Sequence, residues 1–296
     1  MSNPSNRLET RYKQAAVNPE VSAFSQLAQR LLIGFGQAMW YLRPLPDFLI
    51  IGAQKAGTSS LYKYLLQHPS VLPAYQKEIH YFTIPDLYFK GERWYRGHFP
   101  TNLARGQRLT GEASPSYLFF PLVPQRVYQM MPQVKLIVLL RDPVARAFSN
   151  YHHQVRRGLE TLSFEEAIAQ ESNRLGNDLQ KTVDNPRFHS LNLAHFSYLL
   201  RGDYITQLKR WRQFFPAEQM LILKSENFYE RPQEIVSEVV TFLGLPSWQP
   251  NPAIFKQYNP GDYNKMPPSL RENLSYHFQP ANKALYEFLG RDLGWQ

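Results

Sequence analysis

Residues 47–60 read DFLIIGAQKAGTSS, and this stretch decides the fold class. The apolar run at 48–51 ends at Gly52, which is typical of a strand buried on both faces of a parallel sheet. From Thr58 onwards, apolar residues recur at helical spacing until Pro69. The stretch therefore predicts a strand, a glycine-containing loop and a helix in succession.

The same unit recurs further along the chain. Residues 134–140 form a second apolar run, followed by Asp142, which can cap a helix, and Pro143, which suits the first helical position. Residues 220–223 form a third run. Strands alternating with helices predict a single-domain α/β fold with a doubly wound parallel sheet flanked by helices, and ligands beyond the carboxyl ends of its strands.

Two further segments have a readable pattern. Residues 156–192 are polar, with a capping box at Ser163 and Glu166 that opens one short helix, and we interpret them as a mobile surface excursion and a candidate lid. Residues 268–289 show helical periodicity that we expect to break at Pro280.

The composition excludes several classes of protein. The chain has 296 residues, 33 Lys+Arg against 24 Asp+Glu, and no cysteine. It therefore has no disulfides, thiolate metal sites or cysteine nucleophile, and its length suits one large domain. The basic balance fits an anionic partner such as a nucleotide, an acidic glycan or a membrane surface, although many ordinary enzymes are basic.

Residues 1–46 form an N-terminal extension that ends in two prolines, Pro44 and Pro46. Its apolar stretch at 31–42 is interrupted by Gln37 and is shorter than the roughly 20 residues that span a membrane. Because no secretory signal opens the chain, we expect a cytoplasmic protein. An imperfect helical stripe either packs on the domain, makes a peripheral membrane contact or reflects simple N-terminal variability; it consists of Phe24, Leu27, Leu31, Ile33 and Phe35.

The loop after the first strand carries the chemistry. Gly52 and Gly57 have the spacing of a phosphate-binding loop, in which backbone N–H groups converge on an oxyanion. A nucleotide triphosphatase loop needs Lys and Ser/Thr after the second glycine to hold Mg²⁺, but Lys55 precedes Gly57 here. The second strand ends in Arg141, a phosphate binder, and not in a metal-binding acid. An ordinary strand-to-helix turn and a surface ion pair remain the alternatives for the loop and for Arg141.

These two regions resemble a known family. DFLIIGAQKAGTSS at 47–60 and VKLIVLLRDPVARAFSNY at 134–151 are similar to the two cofactor signatures of sulfotransferases that use 3′-phosphoadenosine 5′-phosphosulfate (PAPS). EASPSYLF at 112–119 and GRDLGW at 290–295 resemble the heparan sulfate N- and 3-O-sulfotransferase branch. The resemblance covers residues 47–296 and implies a P-loop-like sulfotransferase domain.

The resemblance also implies roles for particular residues. Lys55 matches the catalytic lysine on the 5′-phosphosulfate, and Arg141 and Ser149 match the binders of the 3′-phosphate. The backbone amides expected to hold the 5′-phosphosulfate belong to Ala56, Gly57, Thr58 and Ser59. We take Lys265 as the candidate for the remaining contact with the nucleotide.

On the acceptor side, Glu78 matches the family's catalytic base, which takes the proton of the attacking group. His80 points to the same side in an extended segment and is expected to orient the sugar or Glu78. The alternatives are a solvated glutamate and a structural histidine. His152 and His153 are adjacent and diverge on a helix, so we do not expect them to bind a metal together. The resemblance implies no metal, because the transferred sulfuryl group carries less charge than a γ-phosphoryl group and Lys55 with backbone donors can neutralise it.

The predicted function is transfer of a sulfuryl group from PAPS to a hydroxyl or amine, on a heparan-sulfate-like glycan or another carbohydrate, with no nucleic-acid partner. Ala113 stands where the branch usually has lysine, which leaves the acceptor open. A small-molecule or lipid alcohol is the alternative acceptor. The alternatives from other classes are an ATP-dependent P-loop kinase and a non-catalytic nucleotide-binding protein.

Overall fold

A single parallel sheet of five strands, in the order β2-β3-β1-β4-β5, organises the domain. The structure is a computed structural model that describes residues 31, 33–255 and 265–295. The strands are β1 (Phe48–Gly52), β2 (Val71–Pro73), β3 (Leu109–Ala113), β4 (Lys135–Leu140) and β5 (Met220–Lys224). The predicted doubly wound α/β fold is confirmed.

Helices flank this sheet in the described part of the chain. They are α1 (Thr58–Leu65), α2 (Pro85–Tyr88), α3 (Gly91–Arg96), α4 (Asn102–Arg105), α5 (Val123–Met130), α6 (Pro143–Arg156), α7 (Phe164–Ala169), α8 (Glu171–Leu175), α9 (Asp178–Asp184), α10 (Leu191–His195), α11 (Tyr204–Arg212), α12 (Ser225–Glu230), α13 (Pro232–Leu243) and α14 (Pro268–Leu289). Short 3₁₀ helices lie at Trp40–Leu42, Leu200–Gly202, Ala217–Gln219 and Pro252–Ile254. Residues 33–38 are also helical.

The central strands are the apolar runs that the sequence predicts. Every residue of β1 is buried, and in β4 only Lys135 is partly exposed. β1 lies between β3 and β4, with Ile50 opposite Ile137 in the parallel register. Because helices cover both faces of such a sheet, a continuous apolar sequence is the expected composition. The loops after β1 and β4 are consequently neighbours.

Two strands are absent from the prediction. β2 has only three residues and ends in Pro73, as befits the sheet edge that it forms. β3 contains Gly111 and the buried carboxylate of Glu112, which break its apolar run. A Cβ at Gly111 would lie 2.5 Å from the Phe48 ring, so glycine is what lets β3 approach β1.

The C-terminal helix corrects another expectation, because α14 runs unbroken from Pro268 to Leu289 with Pro280 inside it. Proline removes one N–H from the helix and leaves the carbonyl of residue 276 without its usual donor. Tyr276 is 78% exposed, so this turn of the helix faces water. Buried Phe278 and Leu285 hold the helix against the domain on both sides of the proline.

Residues 156–192 are more structured than the sequence indicates. They contain the helices α7, α8 and α9 and the start of α10, whereas the sequence predicts one helix. The predicted capping box is confirmed, with Ser163 and Glu166 bonding to each other's backbone N–H. Buried Glu160 accepts hydrogen bonds from Arg174 and Tyr198 and ties the segment to the domain. A lid role for this segment stays a prediction.

Part of the N-terminal extension packs on the domain. Arg43 is buried and donates a hydrogen bond to the carbonyl of Phe99. The carbonyl of Gln37 accepts from Arg93 at 3.0 Å. Leu31 and Phe35 are 65% and 64% exposed. Among the described residues, no helix has the length and apolarity to cross a membrane, and residues 1–30 lie outside the description.

Candidate active site

A cavity of about 920 Å³ lies beyond the carboxyl ends of β1, β3, β4 and β5. This is the edge at which doubly wound sheets bind ligands. The lining residues come from the loops after these strands, from the following helices and from the C-terminal stretch: Gln54, Lys55, Gly57, Thr58, Ser59, Ser60, Lys77, Glu78, Pro115, Arg141, Asp142, Ala145, Ser149, His153, Arg156, Lys224, Ser225, Glu226, Tyr229, Glu230, Arg271, Gly294 and Trp295.

The β1 loop (residues 53–57) turns sharply into α1. Its backbone is left-handed at Lys55 (φ 73°) and at Gly57 (φ 96°). A Cβ at position 57 would meet the Tyr229 hydroxyl at 2.7 Å, so glycine is needed for both conformation and space. The turn places Lys55 on the cavity wall and aims the N-terminus of α1 at the cavity.

Ala56 has a different place from the one the sequence predicts. It is fully buried and does not line the cavity. Its N–H donates to the carbonyl of Ala53 at 3.2 Å, and its carbonyl accepts from Ser225 Oγ at 2.8 Å. The Ala56 amide therefore secures the loop. The first N–H groups of a helix have no acceptor inside it, which leaves the amides of Thr58 and Ser59 to face a ligand.

The loop after β4 meets the β1 loop directly. The Arg141 guanidinium donates to the carbonyl of Lys55 at 3.0 Å. Asp142 caps α6 by accepting from the Ala145 N–H at 2.8 Å, and it forms an ion pair with Arg271 at 2.8 Å. Lys55 and Arg141, 86 residues apart in sequence, thus line one cavity. Arg271 is a cation of this site that the sequence analysis missed.

One face of α6 lines the cavity through Ser149, His153 and Arg156. Ser149 is where the sequence places it. His153 and Arg156 follow it by four and seven positions, the spacing of one helical face, and this periodicity was the available signal for both. His152 is outside the lining, as expected for a neighbour on a helix. The described residues contain no group of three or more potential ligands that could hold a metal ion.

The charged groups that line the cavity shift one another's pKa values. Burial, with the charges of Arg156 and Arg141, lowers the pKa of Lys55 to about 8. Burial and the charge of Lys55 lower the pKa of His153 to about 4, so this imidazole is neutral near pH 7. Cations crowded in this way raise the affinity for an anion, because an anion relieves their repulsion.

Glu78 lines the cavity, and His80, which is not in the lining, contacts Glu78. His80 Nε2 lies 3.5 Å from Glu78 Oε2, and Lys77 Nζ lies 3.0 Å from Glu78 Oε1. The two side chains meet because both residues have left-handed backbone (φ 55°), and not because the segment is extended, as the sequence analysis assumes. Burial opposes the charge of Glu78, but His80 and Lys77 outweigh it and lower its pKa to about 2.

Lys77 is a further residue that the sequence analysis missed. Its ammonium also donates to Ser59 Oγ, in the first turn of α1, and it lines the cavity. It therefore connects the β1 loop region with Glu78. Its position immediately before Glu78 was the only sequence signal available.

The C-terminal stretch returns to the site. Trp295 is 8% exposed and lines the cavity, and its indole N–H donates to Glu226 at 3.4 Å. Its backbone N–H donates to the Tyr286 hydroxyl at 3.0 Å, which fixes the stretch on α14. Lys265, the predicted nucleotide contact, is exposed and is not among the described residues that line the cavity; the segment before it, 256–264, lies outside the description.

Comparison with known proteins matches this architecture to one family. Residues 45–259 match the family model described as "Sulfotransferase domain". The chain is 30% identical to heparan sulfate glucosamine 3-O-sulfotransferase 5 of Mus musculus, over 86% of this chain and 75% of that protein. It is 29% identical to membrane-associated sulfotransferase kil1 of Dictyostelium discoideum, over 85% and 67% of the two chains. A crystal structure of a sulfotransferase from Alicyclobacillus acidocaldarius superposes with a TM-score of 0.67 at 34% identity, covering 84% of this chain and 98% of that chain.

Proposed function

Because the chain belongs to the sulfotransferase family, we propose that its cavity binds PAPS and that Glu78 activates a carbohydrate hydroxyl or amine for sulfuryl transfer. The observation that carries the proposal is the meeting of Lys55, Arg141 and Glu78 around one cavity. Lys55 and Arg141 supply cations for a bisphosphorylated nucleotide. Glu78 supplies a carboxylate at the same cavity.

The lining chemistry fits such a donor. Lys55 and the amides of Thr58 and Ser59 suit the 5′-phosphosulfate, since they combine a cation with a helix N-terminus. Arg141 and Ser149 suit the 3′-phosphate, which ATP and ADP lack. Tyr229 and Trp295 add aromatic side chains to the same cavity. A donor with two separate anionic groups matches cations placed on two different loops.

We propose that no metal is needed. A magnesium-dependent P-loop places a hydroxyl and an acid around the ion, whereas here β4 is followed directly by Arg141. The only acid of the loop after β4, Asp142, caps α6 and pairs with Arg271. Lys55 and backbone N–H groups then neutralise the charge that develops on the leaving group.

The donor supplies an electrophilic sulfuryl group, and the side chains of this chain manage the proton and the charge. The Glu78 carboxylate accepts the proton of the acceptor hydroxyl while the acceptor oxygen bonds to sulfur. The bond from sulfur to the bridging phosphate oxygen breaks, and Lys55 stabilises the negative charge left there. His80 and Lys77 orient the two oxygens of Glu78. A hydroxyl, a donor and a carboxylate thus yield a sulfate ester, 3′,5′-adenosine bisphosphate and a protonated Glu78.

A carbohydrate acceptor rests on the relatives and on the charge of the site. The 3-O-sulfotransferase that is 30% identical acts, by its name, on heparan sulfate glucosamine. Lys77, whose ammonium lies 3.0 Å from Glu78, and Arg156 on the cavity wall are cations that suit an acidic glycan. At position 113, where the branch usually has lysine, this chain has a fully buried alanine, and this position therefore contributes no cation.

Calorimetric titration tests the donor part without knowledge of the acceptor. The ligands are 3′,5′-adenosine bisphosphate, ADP, and ATP with Mg²⁺. We expect clear preference for the bisphosphate. Preference for ATP with Mg²⁺ would indicate a kinase, and no binding by any of the three would refute the donor site.

An acceptor screen follows, beginning with amino sugars and acidic glycans and including a lipid alcohol and a small alcohol. Transfer of labelled sulfate to a glycan supports the carbohydrate proposal. Bisphosphate binding without transfer to any acceptor supports the non-catalytic alternative, and selective labelling of the alcohols replaces the carbohydrate with a small acceptor.

A further inference from the structure

A buried carboxylate lies behind the Glu78–His80 pair. Glu112, at the end of β3, is 1% exposed. Its Oε1 accepts hydrogen bonds from the hydroxyls of Tyr95 at 2.7 Å and Tyr117 at 2.9 Å, and its Oε2 accepts from Ser114 Oγ at 2.7 Å. Burial raises the pKa of Glu112, while the three hydroxyl donors oppose that rise. Burial of a carboxylate is costly, and such groups persist where their hydrogen bonds are complete.

The hydrogen bonds continue from Glu112 to the site. The Ser114 hydroxyl donates its proton to Glu112 Oε2, and the lone pairs of its oxygen remain available to accept a hydrogen bond. That oxygen lies 3.3 Å from the backbone N–H of His80. By accepting from the Ser114 hydroxyl, Glu112 holds the Ser114 side chain where its oxygen can accept from the His80 N–H.

The His80 side chain is held from the same turn. Its Nδ1 lies 3.1 Å from Ser116 Oγ, and its Nε2 lies 3.5 Å from Glu78 Oε2. His80 also has a left-handed backbone at φ 55°, a conformation that a non-glycine residue keeps only when its surroundings impose it. The bond from Ser114 to the His80 N–H acts directly on that backbone.

We propose that Glu112 is a positioning residue for sulfuryl transfer: through Ser114 it holds the His80 backbone, and through His80 it sets the orientation of the Glu78 carboxylate. This inference rests on the proposed function, in which Glu78 accepts the proton. Glu112 itself does not line the cavity. A glutamine at this position has the same size but presents an amide, which cannot accept from Ser114 and from both tyrosines at once.

The alternative is that Glu112 has a purely structural role. Its partners Tyr95 and Tyr117 pack in an aromatic cluster with Phe82, and Glu112 would then only satisfy their buried hydroxyls. Glu160 provides the matched control. It is also a buried carboxylate, with a 1% exposed side chain, and it accepts from Tyr198 at 2.8 Å and from Arg174. Within the described part of the chain, none of its hydrogen-bond partners, Thr161, Leu162, Arg174 and Tyr198, lines the cavity. Glu160→Gln therefore removes a buried charge without touching the chain of bonds to Glu78.

The test compares Glu112→Gln, Ser114→Ala, their double mutant and Glu160→Gln. We expect Glu112→Gln and Ser114→Ala each to lower kcat by about 10- to 100-fold, the scale of a misoriented catalytic group, with acceptor KM and bisphosphate Kd within about twofold of wild type. The double mutant should lose no more than the stronger single mutant, because both interrupt one path. Glu160→Gln should lose thermal stability at unchanged kcat.

An equal kcat for Glu112→Gln and Glu160→Gln, or additive losses in the double mutant, would overturn the positioning role. Ser114→Ala keeps the test open if Glu112→Gln does not fold, since it leaves the buried carboxylate in place.

A second readout does not depend on turnover. The Glu78 carboxyl is followed by ¹³C NMR during acid titration, with Glu78→Gln to assign its signal. In wild type its pKa is about 2, and in Ser114→Ala it should rise as the His80 contact loosens. An unchanged Glu78 titration contradicts the inference. A shifted titration in a protein that transfers no sulfate would refute the proposed function and leave the coupling intact.

Discussion

Lys55 should make donor binding depend on pH in a way that can be calculated. In the free protein its pKa is about 8, lowered from 10.5 by burial and then by Arg156 and Arg141. A bound bisphosphate brings negative charge to the ammonium and restores a pKa near or above 10.5. Binding above pH 8 must therefore be accompanied by uptake of a proton.

The size of the effect follows from these two values. At pH 9 roughly nine-tenths of Lys55 is neutral in the free protein, so binding takes up about 0.9 proton. At pH 7 about one-tenth is neutral, and uptake is close to 0.1 proton. Affinity for 3′,5′-adenosine bisphosphate should fall about tenfold from pH 7 to pH 9, equivalent to about 1.4 kcal/mol. The sign is fixed: the charged lysine binds, and a higher pH removes the charge.

Calorimetry at pH 9 in two buffers with different heats of ionisation measures the proton uptake directly. Lys55→Arg is the control, because a guanidinium keeps its charge at pH 9 and should bind the bisphosphate without this uptake. Equal binding heats in the two buffers at pH 9 would refute the reasoning. So would the same uptake in wild type and Lys55→Arg, since the proton would then belong to another group.

Three substitutions give further expectations. Glu78→Gln should lower kcat by at least about 100-fold while bisphosphate Kd stays unchanged in calorimetry, and unchanged turnover would remove Glu78 as the base. Arg141→Ala should weaken the bisphosphate at least about tenfold and ADP much less, because only the bisphosphate has a 3′-phosphate; equal losses contradict that assignment. Gly57→Ala should lower the free energy of unfolding by more than the roughly 1–2 kcal/mol that a left-handed alanine costs, because its Cβ also meets Tyr229. Gly91→Ala is the control: its φ is 80° and nothing lies within 4 Å of its Cβ, so it should cost only the backbone penalty. Urea unfolding compares the two variants.

The sequence predicts the centre of the sheet better than its edge, for a physical reason. β1 and β4 are covered on both faces, so their residues must be apolar and form visible runs. β3 is also an internal strand, but Glu112 and Gly111 interrupt its apolar run, so the sequence does not predict it. These two residues suit the strand because of contacts outside it: hydroxyl donors satisfy the Glu112 carboxylate, and the Phe48 ring leaves room only for glycine at position 111. Pro280 causes the opposite error: it predicts a break in the helix, but tertiary packing keeps α14 continuous.

In the candidate site, too, residues within local motifs are predictable from the sequence, and residues placed by long-range packing are not. Lys55, Arg141 and Ser149 lie within local motifs, and the structure brings them to one cavity. Arg271 and Trp295 reach that cavity from the C-terminal part of the chain. No local pattern marks Arg271, and the GRDLGW stretch that contains Trp295 does not by itself place the indole in the cavity. Their places depend on how α14 packs, which is a property of the whole fold.

Left-handed backbone at Lys55, Glu78 and His80 has a consequence for reading related sequences. Each such residue costs roughly 1–3 kcal/mol that glycine or asparagine largely avoids. A lineage under selection for activity retains the three side chains against this cost, whereas one released from catalysis drifts towards Gly or Asn and gains stability. Glycine at these positions in a relative, with a higher unfolding midpoint, would therefore mark a protein that has kept the fold and abandoned the reaction.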